Sequence, residues 1–172
     1  MAPTTTSRRG ARPKHPPKDP KDCHERALGL LAVRPRARWE LERRLLSAGF
    51  DADEVADVLV RLERVGLIDD EAFAKQLAEY QFSSRRAGRR AVTSALLAKG
   101  IDPALAARAA DEAPDDEPAR AHELALTRVG RLRGVEPTKA FSRLTSLLVR
   151  RGYAPDVARA AARAALAIDE PD

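Results

Sequence analysis

The sequence predicts an all-α fold of tandem three-helix repeats, with three units and about nine helices that form an elongated, curved chain. A glycine-terminated apolar pattern occurs three times, ending at Gly49, Gly100 and Gly152, and these glycines are 51 and 52 residues apart. Such regular spacing is the signature of an internal repeat. No segment alternates apolar and polar residues with β-branched enrichment, so the sequence predicts no strands.

The repeated pattern describes one helix and its end. Apolar residues lie eight, four and three positions before each glycine and one position after it, in segments 41–50, 92–101 and 144–153. This spacing gives a helix with one buried face. Each glycine is expected just after the helix, where a left-handed backbone disfavours a Cβ. We therefore assign structural roles to Gly49, Gly66, Gly100 and Gly152.

Each predicted unit opens with its own helix and closes with a third one. The opening helices are expected over 24–33, 70–82 and 118–131. The third helices begin at Asp51 and at Asp102-Pro103, where an aspartate N-cap, followed in the second case by proline, starts a helix. The predicted organisation is a disordered basic, Pro-rich tail and three three-helix repeats: 1–22, 23–69, 70–117 and 118–172.

The net charge of +5 is distributed unevenly along the chain. Residues 1–22 carry six basic groups, two acidic groups and five prolines with almost nothing apolar, so we expect this tail to be disordered. Residues 118–172 hold ten basic and six acidic groups, whereas the two units between are slightly acidic. Basic ends favour an anionic partner such as DNA or a DNA-bound protein. The alternative for the tail is that it only keeps the protein soluble.

The sequence contains none of the motifs that indicate common enzymes. No glycine precedes a lysine, and neither G-x-G nor G-x-S-x-G occurs. A single cysteine, Cys23, forms neither a disulfide framework nor a multi-cysteine zinc site. Asp69, Asp70 and Glu71 form a tight acidic cluster, which we interpret as a helix start rather than a magnesium site. We therefore predict no enzymatic activity, no cofactor and no metal site.

The chain is also predicted to be free of membrane segments. Its longest apolar run, 27–33, is far shorter than the ~20 residues of a membrane span. The basic N-terminus lacks the apolar region of a secretory signal. We expect a soluble, cytoplasmic monomer.

Four sequence blocks carry a resemblance to a known family. They are Arg34-x-Arg36-x-x-x-Glu40-Leu41, Gly66-Leu-Ile-Asp69-Asp70-Glu-Ala-Phe73-Ala74, Arg85-Arg86-x-Gly88 leading to Leu96-x-x-x-Gly100-Ile101, and Arg150-Arg151-Gly152-Tyr153. In this order and spacing they resemble the RecX family, bacterial modulators of the RecA recombinase. The resemblance covers about 23–168 and does not include the tail.

The resemblance implies a fold and a function. The family's tandem three-helix repeats agree with the repeats found above. RecX-like proteins bind RecA–DNA filaments, lie in the helical groove and suppress ATP hydrolysis and strand exchange, which implies a role in DNA repair, recombination and the SOS response. One departure is Ala37, where the family usually has serine. This change removes a hydroxyl that would form a capping box with Glu40, at a cost of roughly 1 kcal/mol.

Three groups of arginines are the candidates for binding RecA filaments or DNA. Four of them surround Gly88 at a helix start, where positive charge opposes the helix dipole and an anionic partner would relieve the conflict. Structural and functional roles stay equally open for a pair at a helix C-terminus and for three beside Pro35. The candidates are Arg85, Arg86, Arg89 and Arg90; Arg150 and Arg151; and Arg34, Arg36 and Arg38. Trp39 and Phe73 are expected to anchor the core.

The alternative function is direct DNA binding, either nonspecific or through a helix-turn-helix-like motif. Each unit places a helix, a glycine and an apolar residue in an order that resembles this motif. However, acidic residues in the would-be recognition helices, such as Asp53, Glu54 and Asp102, would repel phosphates. Weak DNA contact through the tail and the third unit stays possible, and an inert helical adaptor is a third interpretation.

Overall fold

A computed structural model describes residues 22–112 and 116–167, and this part of the chain contains nine α-helices, a short 3₁₀ helix and no strand. The α-helices are α1 (Cys23–Val33), α2 (Arg38–Ser47), α3 (Ala52–Arg64), α4 (Asp70–Ser83), α5 (Arg89–Leu97), α6 (Pro103–Asp111), α7 (Glu117–Val129), α8 (Pro137–Arg150) and α9 (Pro155–Leu166). The 3₁₀ helix, Gly130–Leu132, follows α7. The predicted tail lies outside the described residues except for Asp22.

The described helices pack in threes, in chain order, and each group of three has its own hydrophobic core. The residues eight and four positions before each glycine are fully buried: Leu41, Leu45, Val92, Leu96, Leu144 and Leu148. The apolar residue three positions before each glycine is exposed in every unit. The prediction of an all-α fold of tandem three-helix repeats is confirmed. The exact unit boundaries stay a prediction, and α7 begins one residue before the expected start of the third unit.

Aspartates start several of these helices. Asp22 accepts a hydrogen bond from the Glu25 N–H at the start of α1, and Asp69 does the same for Ala72 in α4. Asp51 and Asp102 cap α3 and α6 in the same way. The second helices of the three units are α2, α5 and α8. After their C-terminal ends, Gly49, Gly100 and Gly152 adopt φ values of 93°, 77° and 89°. The backbone there favours glycine, because side chains with a Cβ are strained at positive φ.

Two of the second helices lack a side-chain cap of their own and receive one from the next unit. The residues before α2 and α5 are Ala37 and Gly88, and neither supplies a capping hydrogen bond. Instead, Asp70 Oδ1 accepts from the Arg38 N–H of α2, and Glu117 Oε1 accepts from the Arg89 N–H of α5, both at 2.8 Å. Each acid is the first residue of the next unit's opening helix. The caps therefore join consecutive units.

The glycines after the second helices make a further contact between units. A Cβ on Gly100 would lie 2.4 Å from the Trp39 side chain, and a Cβ on Gly152 would lie 2.4 Å from Ala91. The C-terminal end of α5 thus abuts the N-terminal end of α2, and α8 abuts α5 in the same way. The prediction that Trp39 anchors the core is wrong, because its side chain is 42% exposed. It covers the neighbouring unit's glycine, and Arg43 stacks on its ring at 4.8 Å.

Phe73 is partly buried against the second core. Two prolines and a run of acids over 112–118 predict a hinge between the second and third units, and residues 113–115 of it lie outside the described residues. Within the described part of the chain, no helix is both long and apolar enough to span a bilayer.

Candidate partner-binding surface

The candidate surface begins with the loop between α4 and α5. Arg85 and Arg86 are exposed there, and at the start of α5 Arg90 is exposed and Arg89 is half-buried. Arg86 has a φ of 48°, a left-handed conformation that is rare for residues with a side chain. Arg85 places its guanidinium 5.8 Å from the centre of the Tyr80 ring. The loop therefore presents several guanidiniums to solvent on a backbone with one strained residue.

The turn after α8 lies directly against this loop. The Gly88 N–H donates to the Arg151 carbonyl at 2.9 Å, and the Arg90 N–H donates to the Gly152 carbonyl at 3.2 Å. The Arg151 side chain donates from Nη1 to the Arg85 carbonyl at 3.1 Å. Two candidate groups that are far apart in sequence, residues 85–90 and residues 150–151, therefore meet. We call this region the basic joint.

Close backbone contact explains why glycines occupy both sides of the basic joint. A Cβ on Gly88 would lie 2.4 Å from the Gly152 backbone, although Gly88 itself has an ordinary φ of −79°. The buried Tyr153 extends its hydroxyl to the Arg86 carbonyl at 3.0 Å, and burial raises the pKa of this phenol. Tyr153 therefore fixes the strained arginine from the third unit.

Acidic groups of the protein itself counter the positive charge of the arginines at the start of α5, where the helix dipole is also positive. Glu117 accepts from the Arg89 N–H, and Asp111 lies 3.4 Å from the Arg89 guanidinium. An external anion is therefore not required to relieve the dipole conflict at this helix start. What remains unexplained by internal contacts is the concentration of exposed arginines at one joint, which favours an anionic partner.

The arginines around Pro35 are engaged within the protein. Arg36 is buried, and its guanidinium donates to the Leu30 carbonyl and to the buried carboxylate of Glu40. Arg34 and Arg44 reach the same carboxylate. Of the two roles that the sequence left open for Arg36, its burial and its internal hydrogen bonds favour the structural one.

The electrostatics of Glu40 follow from this cluster. Burial by itself raises the pKa of Glu40, but hydrogen bonds from Arg34, Arg44 and Arg36 and the charge of Arg34 outweigh it and hold the pKa below its usual value. Lys99 of the second unit lies 3.9 Å from the other carboxylate oxygen. The carboxylate therefore stays ionised and holds the arginines in place.

Arg38 has a similar internal role. Its guanidinium lies 2.7 Å from Glu63, and its backbone N–H donates to Asp70. Burial raises the pKa of Asp70, and the charges of Glu63 and Asp69 add to this effect, while the hydrogen bond and the charge of Arg38 oppose it.

No group of three or more His, Cys, Asp and Glu side chains that could hold a metal occurs within residues 22–112 and 116–167.

A groove of about 1,030 Å³ lies beside the basic joint, between the second and third units. Its floor is apolar and includes Ala78, Phe82 and Ala109, and its rim carries both acidic and basic side chains. Arg120 stacks on Phe82 at 4.5 Å, and burial lowers the pKa of its guanidinium. The groove offers mixed charge rather than a single-sign site.

Sequence reasoning missed the contribution of the acids that open each unit. The sequence assigned Asp70 to the start of its own helix and gave no role to Glu117, yet both cap the helix of another unit. A signal was present in the sequence. Ala37 and Gly88, which occupy equivalent positions in the repeat, both lack a side-chain acceptor for the helix that follows.

Comparison with known proteins connects this chain to a family. The profile of the first RecX three-helix domain matches residues 23–62, and that of the second matches residues 69–109. A regulatory protein RecX of Mycolicibacterium smegmatis is 40% identical over 144 residues, covering 78% of this chain and 77% of that protein. The chain belongs to the RecX family.

Further RecX proteins match over most of this chain. The regulatory protein RecX of Streptomyces coelicolor is 34% identical over 165 residues, covering 94% of this chain and 87% of that protein. The crystal structure of RecX from Lactobacillus salivarius aligns with a TM-score of 0.77 at 21% identity, covering 85% of this chain and 96% of that one. This structural likeness shows the shared fold. The resemblance inferred from the four sequence blocks is thereby confirmed.

Proposed function

We propose that this chain binds RecA or RecA–DNA filaments and inhibits the ATPase and recombinase activities of RecA. It does so in the cytoplasm, as part of DNA repair and the SOS response. RecX family membership supports this proposal, together with relatives that are named regulatory proteins. The structural observation that carries it is the basic joint, where two units combine their arginines on one surface. A concentrated positive surface suits an anionic protein or nucleoprotein partner.

The nine candidate arginines divide into the six of the basic joint and the three beside Pro35. We propose that the exposed members of the basic joint contact the partner: Arg85, Arg86, Arg90, Arg150 and Arg151. Arg89 contributes from the edge, because its guanidinium also pairs with Asp111. Arg34 and Arg38 hold acidic groups of the protein itself and come second to these, and we leave Arg36 out because it is buried. The chain acts as a monomer, and it acts by binding its partner rather than by catalysing a reaction.

The primary test is the hydrolysis of ATP by RecA on single-stranded DNA, with and without this protein. We expect inhibition at stoichiometric or lower ratios. A variant with Arg85, Arg86, Arg90 and Arg150 changed to Ala should inhibit much more weakly, and its residual binding should depend less on salt. A control with the exposed Arg61, Arg64, Arg131 and Arg159 changed to Ala has the same net charge and should inhibit like wild type. Unchanged RecA ATPase and strand exchange at saturating wild-type protein would refute the function.

Direct DNA binding is the second candidate function, and the same basic joint supports it. The third helices argue against a helix-turn-helix mode, because Asp53 and Asp57 of α3 and Asp102 before α6 are exposed. An assay with labelled single- and double-stranded DNA alone separates the two functions. Tight binding to DNA without RecA, lost in the four-arginine variant, would favour the DNA-binding function.

A further inference from the structure

The three units share an exposed apolar residue at the same repeat position. Leu46, Leu97 and Val149 each lie three positions before the glycine, and their side chains are 41%, 44% and 41% exposed. A single exposed leucine on a protein surface is ordinary. An exposed apolar residue at one position in every described unit is not accounted for by core packing, since the neighbouring repeat positions already fill each core.

The helices that carry these residues also concentrate positive charge. α5 and α8 contain no acidic residue, and their basic residues are Arg89, Arg90, Lys139, Arg143 and Arg150. In α2 one of the two acids, Glu40, is buried beneath its arginines. Lys99 and Arg151, directly before two of the glycines, add to the positive charge. By contrast, α3 carries acidic residues along its exposed surface.

The second helices are joined end to end. The turn after α8 contacts the start of α5 through Gly152, and the turn after α5 contacts the start of α2 through Gly100. We call α2, α5 and α8 together the second-helix strip. Because α2 has ten residues, successive exposed apolar residues are separated by on the order of one helix length, roughly 15 Å. The basic joint is one of the two joins within this strip.

We propose that the second-helix strip is the surface that docks on the partner, and that Leu46, Leu97 and Val149 each enter an apolar depression on an acidic protein surface repeated along that partner. This inference rests on the proposed function, because a filament of identical subunits supplies such a repeated surface. Positive charge along the strip is complementary to acidic groups and aligns the two surfaces. The apolar residues supply contacts that are dry and specific.

The apolar residues favour a protein rather than a nucleic acid as the occupant. Phosphate binding gains from charge alone, and base binding in single strands uses aromatic side chains. Leucine and valine at regular intervals offer neither charge nor a stacking surface. They suit apolar pockets between subunits or within them, where burying one such side chain has a measurable effect on affinity.

The test removes the three exposed apolar side chains of the strip, which we call the apolar row, without changing the net charge. The triple variant Leu46→Ser, Leu97→Ser, Val149→Ser is compared with a control, Leu28→Ser, Val60→Ser, Leu126→Ser. The control residues are also exposed and lie on α1, α3 and α7, outside the strip. Binding is measured by co-sedimentation with RecA filaments on single-stranded DNA and, separately, by fluorescence anisotropy with the same DNA alone. An alanine version of each set, which preserves helix propensity, is measured in parallel with circular dichroism.

We expect the row variant to bind filaments at least tenfold more weakly than wild type, and each single substitution to cost about two- to fourfold. The control should stay within twofold, and neither variant should change binding to DNA alone. If the folded row variant binds filaments as tightly as the control, the docking assignment is refuted while the proposed function stands. Equal losses for filaments and for naked DNA would refute the protein partner. If wild type does not bind filaments at all, both the function and this inference fail.

Discussion

At the scale of single residues, Glu40 shows how this chain uses its basic side chains internally. One buried carboxylate receives guanidinium groups from Arg34, Arg36 and Arg44. Removing one partner of a buried ion pair leaves an uncompensated charge, which costs far more than losing a surface pair. Sequence alone does not separate Arg34 from Arg36 as binding candidates, because burial depends on how the turn at Pro35 packs against α1.

Replacing Glu40 with Gln should therefore lower the free energy of unfolding by about 3 kcal/mol, because Arg36 is left buried beside a neutral amide. The matched control is Glu42→Gln. The Glu42 side chain is 40% exposed and lies 3.7 Å from Arg38, and its loss should cost less than about 0.5 kcal/mol. Urea denaturation monitored by circular dichroism measures both. Equal losses for the two variants would contradict the structural role of Glu40.

The same residue predicts a pH dependence. Its pKa is lower in the folded chain than its ordinary value of 4.5, so the unfolded chain binds the proton more tightly. The stabilisation is complete above pH 4.5 and is lost as the pH falls through the lower folded pKa. Wild type should lose stability in this acid range more steeply than Glu40→Gln. If the free energy of unfolding fell equally for the two proteins between pH 6 and pH 3, this assignment would be contradicted.

At the scale of helices, the sequence predicted what each helix does for its own unit and missed what it does for the next. In α2, the burial of Leu41 and Leu45 and the glycine end follow from local periodicity and local backbone preference. The exposure of Leu46 and the cap from Asp70 do not, because both depend on where the second unit lies. The absent cap at Ala37 was visible in the sequence, but the donor of its replacement was not.

Gly88 offers a test of the contact between α5 and the third unit. Its φ is compatible with alanine, so Gly88→Ala changes little except the space between the backbones of the two units. The added Cβ would meet Gly152 at 2.4 Å, and we expect a loss of about 1–3 kcal/mol from this overpacking.

Gly130→Ala is the matched control for Gly88→Ala. Gly130 also has a negative φ, and a Cβ there has no neighbour within 4 Å. This variant should be neutral or slightly more stable, because alanine restricts the unfolded chain. Thermal denaturation of both variants measures the difference. A Gly88→Ala protein as stable as Gly130→Ala would mean that the two units do not pack as described.

At the scale of the whole molecule, the chain is a series of small cores linked by repeated joints. Each core is built from three helices, so its stability depends on its neighbours more than that of a larger domain. The joints reuse one arrangement, in which an acid that opens one unit caps the second helix of the unit before. The third unit differs, because α8 is capped by its own Glu136, which accepts from the Thr138 and Lys139 N–H groups.

This arrangement predicts that damage to one joint stays local. Removing the acid of one joint with Asp70→Ala should speed amide hydrogen exchange around residues 36–42, while exchange around residues 86–92 stays close to that of wild type. Glu117→Ala should give the opposite pattern, so each variant is the control for the other. The physical reason is that each carboxylate satisfies one helix start, and local opening free energies in repeat proteins follow nearest-neighbour contacts. Hydrogen exchange with mass spectrometry resolves the two regions in the full chain. Faster exchange in both regions from either substitution would mean that the molecule opens as one cooperative body, and the separate-joint description would be wrong.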